Sequence, residues 1–396
     1  MTTKLFSCNS YETEFTACVT EVNKTPKGYV LEFDRTLFYP ESGGQNCDTG
    51  TIYTSDARQW SVVEVFYEGS AIKHLIYGEN PPSKGEPITG RIHWVRRYTH
   101  MQRHSAQHLL SQAFVRVDPA FRTVSVAMSS SVCTIDFEGF PDDDDIARAE
   151  ALCNEICREG IPITVHEVDE SEIGNWNVRR PPKVSGIIRL VKAGDYETAA
   201  CGGTHLENTA EALPVKILRS EKIRGDLTRI HFIAGSEAFE DYIQKHEITR
   251  ALSEGFSSKV HAIPMHVANL ESSLSTAKQE IQFLSAMVAR QLFDEATMKQ
   301  DPLIIIEAPA VDVLKKLMAI AGETPDTVFA GFLTTESKLE VSLISTCPEK
   351  SMGDVVKKLQ LTIAVKGGGR KEMARFAAQV ADKDLIKQTL KQILSN

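Results

Sequence analysis

The sequence has 396 residues, with 44 basic and 53 acidic side chains for a net charge of −9, and is 42% hydrophobic and 24% charged. At roughly 150 residues per domain this predicts two or three domains, each able to bury a core, and the apolar share excludes disorder as the main state. The longest apolar runs, such as Leu303 to Ile306, fall far short of the roughly 20 residues of a membrane span, and Met1 to Tyr11 lacks the basic-then-apolar layout of an export signal. A soluble cytoplasmic protein with no membrane partner is therefore expected. Eight cysteines are too sparse for a disulfide scaffold, so each is read as a core residue, a ligand or a nucleophile.

In chain order, short strands come first: Phe15 to Asn23, Gly28 to Phe33, Gly50 to Thr54, Val62 to Glu68 and Ile72 to Tyr77, with Gly, Pro, Asn and Asp between them. They predict an N-terminal β-barrel over residues 1–90. From Tyr98 the apolar spacing becomes helical through His104, His108, Leu109, Ala113 and Phe114, and a second helix is predicted from Asp143 to Glu159. Strands at Val132 to Phe137, Ile161 to Glu167 and Ile187 to Val191 make residues 91–236 an α+β unit. Residues 237–300 carry no strand signal, and Val267, Leu270, Leu274, Ala277, Ile281, Leu284 and Val288 alternate spacings of three and four. That seam predicts a helical hairpin or coiled coil and a homodimer through the C-terminal half. Residues 301–396 read as a C-terminal α/β domain, with strands at Leu303 to Glu307, Thr327 to Leu333 and Leu339 to Ser345, and helices from Asp312, Met352, Arg370 and Asp384.

The net charge argues weakly against nucleic acid, yet two stretches carry bases and no acid: Arg91, Arg96, Arg97 and Arg103 between Thr89 and His104, and Arg179, Arg180, Lys183, Arg189 and Lys192 between Asn177 and Lys192. His104 and His108 are four apart on one helix face, so both rings can point at one metal ion. Cys201 and His205 flank Gly202 and Gly203, and a thiolate and an imidazole across that turn can converge on the same ion. Two His, one Cys and one His form a donor set suited to Zn2+. Four protein ligands also suit a purely structural site. Ser105 stands where a zinc-protease helix has Glu, which disfavours a peptidase. Cys201 as a papain-like nucleophile is the less favoured alternative to coordination. The run Phe38-Tyr39-Pro40-Glu41-Ser42-Gly43-Gly44-Gln45 reads either as a turn or as a glycine-rich loop against a ligand, with Glu41 and Gln45 offering hydrogen bonds.

The three clusters in this order resemble the editing domain of alanyl-tRNA synthetases and its free-standing AlaX-type relatives. In that family a Phe-Tyr-x-Glu-x-Gly-Gly-Gln loop, a His-x-x-x-His helix and a Cys-x-x-x-His turn build a zinc-containing deacylase site. The resemblance covers about residues 1–236. It extends to Lys366-Gly367-Gly368-Gly369-Arg370, which is similar to the glycine-rich loop of the synthetases' C-terminal domain and is expected to open a helix and offer amides to a tRNA phosphate. The continuation Lys371 to Phe376 departs from the family's pattern, and Val126 stands near where the synthetases tend to place a recognition glutamine, leaving Thr123 or Ser125 as replacements.

The resemblance implies a long-form trans-editing protein that hydrolyses the ester of mischarged tRNA-Ala, carrying serine and secondarily glycine. Zinc is expected on His104, His108, Cys201 and His205, either activating water or orienting the terminal adenosine. Glu41, Gly43, Gly44 and Gln45 are expected at the aminoacyl end, and Arg96, Arg97, Arg179 and Arg180 along phosphates. With no class II core ahead of the barrel, no aminoacylation is expected. A non-catalytic tRNA-binding module and a small-molecule zinc esterase are the alternatives.

Overall fold

The computed structural model of the chain describes residues 2–182, 184–336 and 338–395. The chain divides into two compact units, residues 1–251 and 252–396.

In the first unit β1 (Thr3–Lys4) pairs in parallel with β4 (Arg35–Thr36) beside a closed barrel. The barrel strands are β2 (Glu14–Thr25), β3 (Gly28–Phe33), β5 (Gly50–Tyr53), β6 (Gln59–Glu68), β7 (Ala71–Tyr77) and β8 (Pro87–Ile92), in the order β2-β3-β7-β6-β5-β8. Alternation drives the closure. Phe15, Ala17 and Val19 of β2 point inward with Leu31, Phe33, Ile52, Val62, Val65, Ile72 and Ile76, while the residues between those of β2 face solvent. Strand β8, absent from the expectations, closes the ring against β2 and β5. Its Pro87 and Gly90 look like turn residues, but Pro87 opens the strand and a Cβ on Gly90 would lie 2.4 Å from the Phe15 ring.

Helix α1 (Trp94–Val117) leaves the barrel and buries polar side chains over most of its length, among them Arg97, Gln102, Arg103, His104, Ser105 and Gln107. Buried polar groups are costly unless partnered, so this helix is where function is to be sought. Then follow β9 (Thr123–Ala127), β10 (Cys133–Glu138), α2 (Asp143–Glu159), β11 (Ile163–Asp169), β12 (Ile187–Ala193), β13 (Glu197–Ala200), β14 (Val215–Lys222) and β15 (Leu227–Ala234). Helix α2 starts on a reciprocal Asp142–Asp145 capping box and stops at Gly160, whose φ of 67° is left-handed. Two sheets form, β14-β15-β10-β9 and β11-β12-β13. Leu109, Leu110 and Phe114 of α1 share one core with Cys153 and Cys157 of α2 and Ile135, Phe137 and Phe232 of the four-stranded sheet. Helix α3 (Gly235–Gly255) carries the chain onward.

The second unit contains α4 (Ile263–Thr297), β16 (Ile304–Glu307), α5 (Val311–Glu323), β17 (Val328–Thr334), β18 (Leu339–Ser345), α6 (Met352–Gln360), β19 (Lys366–Gly369), β20 (Met373–Ala378) and α7 (Lys383–Ser395). The sheet order is β16-β17-β18-β20-β19. Ala289 and Phe293 of α4 join Leu317 and Met318 of α5 in one core, and Val355 and Leu359 of α6 join Ile386 and Leu390 of α7 in another. The seam of α4 is a different stripe: Val267, Leu270, Leu274, Ile281, Leu284 and Val288 are 38–57% exposed.

The glycine-rich run corrects an expectation. Lys366–Gly369 is an edge strand, and no helix starts at Arg370. Met373, Arg375 and Ala374, Phe376 alternate outward and inward, the period of a strand, and three glycines have poor helix propensity. The glycines serve packing: a Cβ on Gly353 of α6 would lie 2.8 Å from the Gly369 carbonyl. The backbone that faces α6 here is carbonyl, with Gly353 N–H donating to Arg370 O, so no amide cradle for a phosphate forms at a helix start. No helix among the described residues is long and apolar enough to cross a membrane.

Candidate metal centre

The two sequence halves converge. His104 and His108 lie one turn apart on α1, and Cys201 and His205 stand on the loop after β13; one donor atom from each falls within 4.8 Å of every other. Cys201 Sγ lies 3.3 Å from His104 Nε2 and 3.3 Å from His205 Nε2. A tetrahedral zinc with Zn–S about 2.3 Å and Zn–N about 2.0–2.1 Å separates sulfur from nitrogen by about 3.5 Å, so the cluster is close to the size of such a shell.

Each imidazole has a partner beside its other nitrogen, and for His104 that partner fixes the tautomer. His104 Nδ1–H donates to Gln45 Oε1 at 2.8 Å, His108 Nδ1 lies 3.3 Å from Glu197 Oε1, and His205 Nδ1 lies 3.2 Å from Ser105 Oγ. Nε2 of His104 is thereby left with its lone pair toward Cys201. The sulfur itself accepts from Gly203 N–H at 3.4 Å. Burial opposes charge on the Cys201 thiol, but His104 and His205 beside it hold it well below the usual thiol range. For His108 burial again opposes charge, and the Glu197 carboxylate and Cys201 nevertheless raise it to about 9. Burial with His104 nearby lowers His205 to about 3. A thiolate and inward-facing imidazole nitrogens are the donors that zinc takes, so these residues fit that ion.

The supporting residues come from separate elements. Gln45 sits in the glycine-rich loop, where Ser42 and Gln45 pair across Gly43 and Gly44, at φ 58° and 82°. Its Nε2 donates to Thr204 Oγ1 at 2.8 Å, so one barrel side chain ties α1 to the Cys201–His205 turn. Gly203 is obligatory there, since a Cβ would sit 2.1 Å from His104 Cε1. Arg189 braces the same turn, donating to the carbonyls of Cys201 at 2.7 Å, Gly203 at 3.0 Å and Ser7 at 2.9 Å. Sequence reasoning missed Glu197, Ser105, Thr204 and Arg189 in these roles. Ser105 and Thr204 adjoin ligands and were findable from the motifs; Glu197 had no spacing signal.

Other expected residues fall elsewhere. Glu41 is exposed and outside the ligand cluster. On β9 the Thr123 hydroxyl accepts from Arg179 at 3.2 Å, and exposed Ser125 donates to Asp136 at 2.6 Å. The β9 residue against the glycine-rich loop is Val126, whose Cγ2 would lie 3.6 Å from a Cβ on Gly44 and whose carbonyl would lie 3.2 Å from it.

The basic stretches are largely neutralised, mostly by acids remote in sequence: Arg91 by Glu14, Arg97 by Asp48, Arg103 by Glu237 and Arg179 by Glu197, with Lys192 paired locally to Asp195. Arg97 is fully buried and cannot track a phosphate. Arg179, mostly buried on Glu197, is likewise withdrawn. Arg96 is half-buried, donating to Cys47 O, and Arg180 is exposed, donating to Thr123 O. Lys183 lies outside the described residues. Lys366, Gly367, Gly368, Gly369 and Arg370 are exposed along and just after the edge strand, and Lys371 and Arg375, the latter on the neighbouring β20, are exposed as well.

A barrel loop, a two-histidine helix and a cysteine–histidine turn thus meet at one cation-sized cluster. Residues 188–231 match the family described as the Threonyl and Alanyl tRNA synthetase second additional domain, and residues 9–96 match tRNA synthetases class II (A). The chain is similar to alanyl-tRNA synthetases and to a free-standing alanyl-tRNA editing protein. It is 26% identical to the alanyl-tRNA editing protein AlaX-L of Pyrococcus horikoshii, across 100% of this chain and 99% of that one. It is 27% identical to the alanine–tRNA ligase of Pyrococcus abyssi over 92% of this chain and 41% of the ligase. The chain spans about two fifths of the length of the curated ligases it matches. The solved C-Ala domain of Aquifex aeolicus alanyl-tRNA synthetase matches 24% of this chain and 89% of that one, at 19% identity and a TM-score of 0.21.

Proposed function

We propose that this chain is a trans-editing deacylase that hydrolyses the ester joining serine, and secondarily glycine, to tRNA-Ala, at a zinc site on His104, His108, Cys201 and His205. The observation that carries the reading is the meeting of those four donors with Gln45 of the glycine-rich loop, in a chain similar over its whole length to an alanyl-tRNA editing protein. Bound zinc supplies a Lewis acid beside the ester or a site that orients the terminal adenosine. The protein's own part is positioning. Gln45 and Glu197 hold two imidazoles, Arg189 braces the Cys201 turn, and the loop of Gly43 and Gly44 lies beside Val126 as a wall for a small side chain. In the hydrolysis the acyl carbon loses its bond to the ribose oxygen and gains one to a water oxygen, and a proton passes to the released hydroxyl. Binding energy from the remote tRNA body orients the ester. Of the basic residues singled out, Arg96, Arg180 and the exposed Lys366, Arg370, Lys371 and Arg375 are the cations left for phosphates. The proposed setting is the cytoplasm, and the proposed assembly is a homodimer through the α4 seam.

The test is deacylation by the purified chain of tRNA-Ala charged with serine, glycine or alanine. Serine release well above alanine release is expected. Binding of tRNA without ester cleavage would replace the reading with a silent binding module, and equal cleavage of a free seryl ester would replace it with a small-molecule esterase. Alanine-dependent ATP–pyrophosphate exchange is expected to be blank.

A further inference from the structure

A histidine that ligates through Nε2 has its ring plane set by whatever accepts from Nδ1–H. For His108 that group is Glu197, whose Oε1 lies 3.3 Å away. Glu197 opens β13 four residues before Cys201, so its backbone and the thiol's belong to one short segment. The carboxylate is 3% exposed and also accepts from Arg179 Nε at 2.8 Å. Arg179 in turn donates through Nη1 to Thr123 Oγ1 at 3.2 Å, and Arg180 donates to the Thr123 carbonyl at 2.6 Å. Three side chains therefore join a metal ligand to β9, the strand whose Val126 adjoins Gly44 of the loop. A buried ion pair is a poor source of stability, since apolar residues of the same volume often do as well. Its placement on a ligand's back side gives it another use.

We propose that Glu197 and Arg179 form one positioning unit, in which Glu197 fixes the ring of His108 and Arg179 locks Glu197 to β9. Cation affinity and the placement of the strand beside the loop are then set by the same pair. The first half concerns the chain's affinity for the metal alone; the second rests on the deacylase reading above. Arg179, taken from sequence for a phosphate contact, acts inward.

The experiment compares the full chain with Glu197→Ala, Glu197→Gln, Glu197→Asp and Arg179→Leu. Zinc affinity is measured by competition with a chromophoric chelator, circular dichroism reports the fold, and kcat and KM are separated for seryl-tRNA-Ala. Glu197→Ala should lose about 10- to 100-fold in zinc affinity. Glu197→Gln, whose amide oxygen still accepts from Nδ1–H, should recover most of that loss, while Glu197→Asp keeps charge but loses reach and should not. Arg179→Leu should weaken zinc less and raise KM several-fold with a smaller change in kcat. A folded Glu197→Ala with parental zinc affinity overturns the proposal. Where Glu197→Ala does not fold, Glu197→Gln binding zinc no better than Glu197→Asp overturns it, and an Arg179→Leu chain with parental KM overturns the link to β9. A parent chain that shows this zinc series but hydrolyses no aminoacyl-tRNA leaves the Glu197 half standing and removes only the activity.

Discussion

Arg97 of α1 and Asp48 of the barrel form an ion pair with neither side chain in solvent, at 0% and 1% exposure. Arg97 Nε reaches both carboxylate oxygens at 3.0 and 3.1 Å, its remaining nitrogens donate to the carbonyls of Ser10 and Leu37, and Asp48 also accepts from Tyr39 N–H at 2.6 Å. Each of the three guanidinium nitrogens thus donates away from α1, fastening the helix that carries His104 and His108 to the chain around the barrel that carries Gln45.

Removing one partner of that pair strands the other. Asp48→Ala should destabilise the first unit by about 3–5 kcal/mol, whereas Arg97→Met combined with Asp48→Leu should cost far less. Urea unfolding followed by Trp fluorescence, with Trp60 and Trp94 in this unit, measures both. Equal losses in the single and double variants would contradict the account.

Metal content follows from the donor set. The purified chain should carry about one zinc, and Cys201→Ala and His108→Ala should each lose it on dialysis against a chelator that leaves the parent loaded. Full zinc at unchanged affinity in either variant would remove that residue from the shell.

The two adjacent glycines should behave differently. A Cβ on Gly203 meets His104 at 2.1 Å and Gln45 Oε1 at 2.9 Å, while one on Gly202 meets nothing within 4 Å. Gly203→Ala should displace His104 and cut zinc affinity at least tenfold, and Gly202→Ala should leave it unchanged. The chelator competition assay reads both.

Acid sensitivity should arise away from the metal centre as well as at His205 within it. Burial lowers His74 to about 3, and burial with Arg96, Arg103 and Arg97 nearby lowers His100 to about 3. His74 is satisfied, its Nδ1 against Leu31 O and its Nε2 against Thr36 Oγ1, whereas both ring nitrogens of His100 lack a partner. A histidine depressed on folding is protonated first in the unfolded chain. Its stability contribution is therefore complete above about pH 6.5 and is lost as pH falls toward 3, at about 2 kcal/mol per histidine by pH 5. His100→Leu should keep more of its stability at pH 5 than the parent does, as judged by urea midpoints at pH 5 and 7.5. Parallel losses in the two proteins would refute the assignment.

The α4 seam should hold two copies together. Light scattering of the full chain at micromolar concentration should give a dimer mass and that of Leu274→Asp a monomer mass, because a charge at a core position of a helix pair is left buried and unpaired. A monomeric parent would mean that the stripe serves something else.

The parts of the fold and site legible in the sequence were those with a period or a tight spacing. Alternation along Phe15, Ala17 and Val19 gave a barrel strand, and the i,i+4 pairs gave all four members of the cluster. Strand β8 was hidden because Pro87 and Gly90 imitate a turn until Phe15 is known to lie opposite. The glycine run at 366–370 was read as a helix start, since the pairing that makes it a strand depends on residues 373–378. The basic stretches misled chiefly because Asp48, Glu237 and Glu197 neutralise their arginines from 18 to 134 positions away, and local sequence holds no record of such partners.

Gln45 belongs to the barrel, yet its side chain accepts from His104 and donates to Thr204. The four ligands are thus not a portable cassette. Grafting the His-x-x-x-His helix and the Cys-x-x-x-His turn onto another scaffold would transfer the donors without the group that holds the His104 imidazole in place, and the cation would find a set of side chains instead of a socket. Conversely, metal occupancy becomes a gauge of whether the barrel is seated: any lesion that loosens the barrel from α1, however far from the cluster, should surface first as zinc leakage.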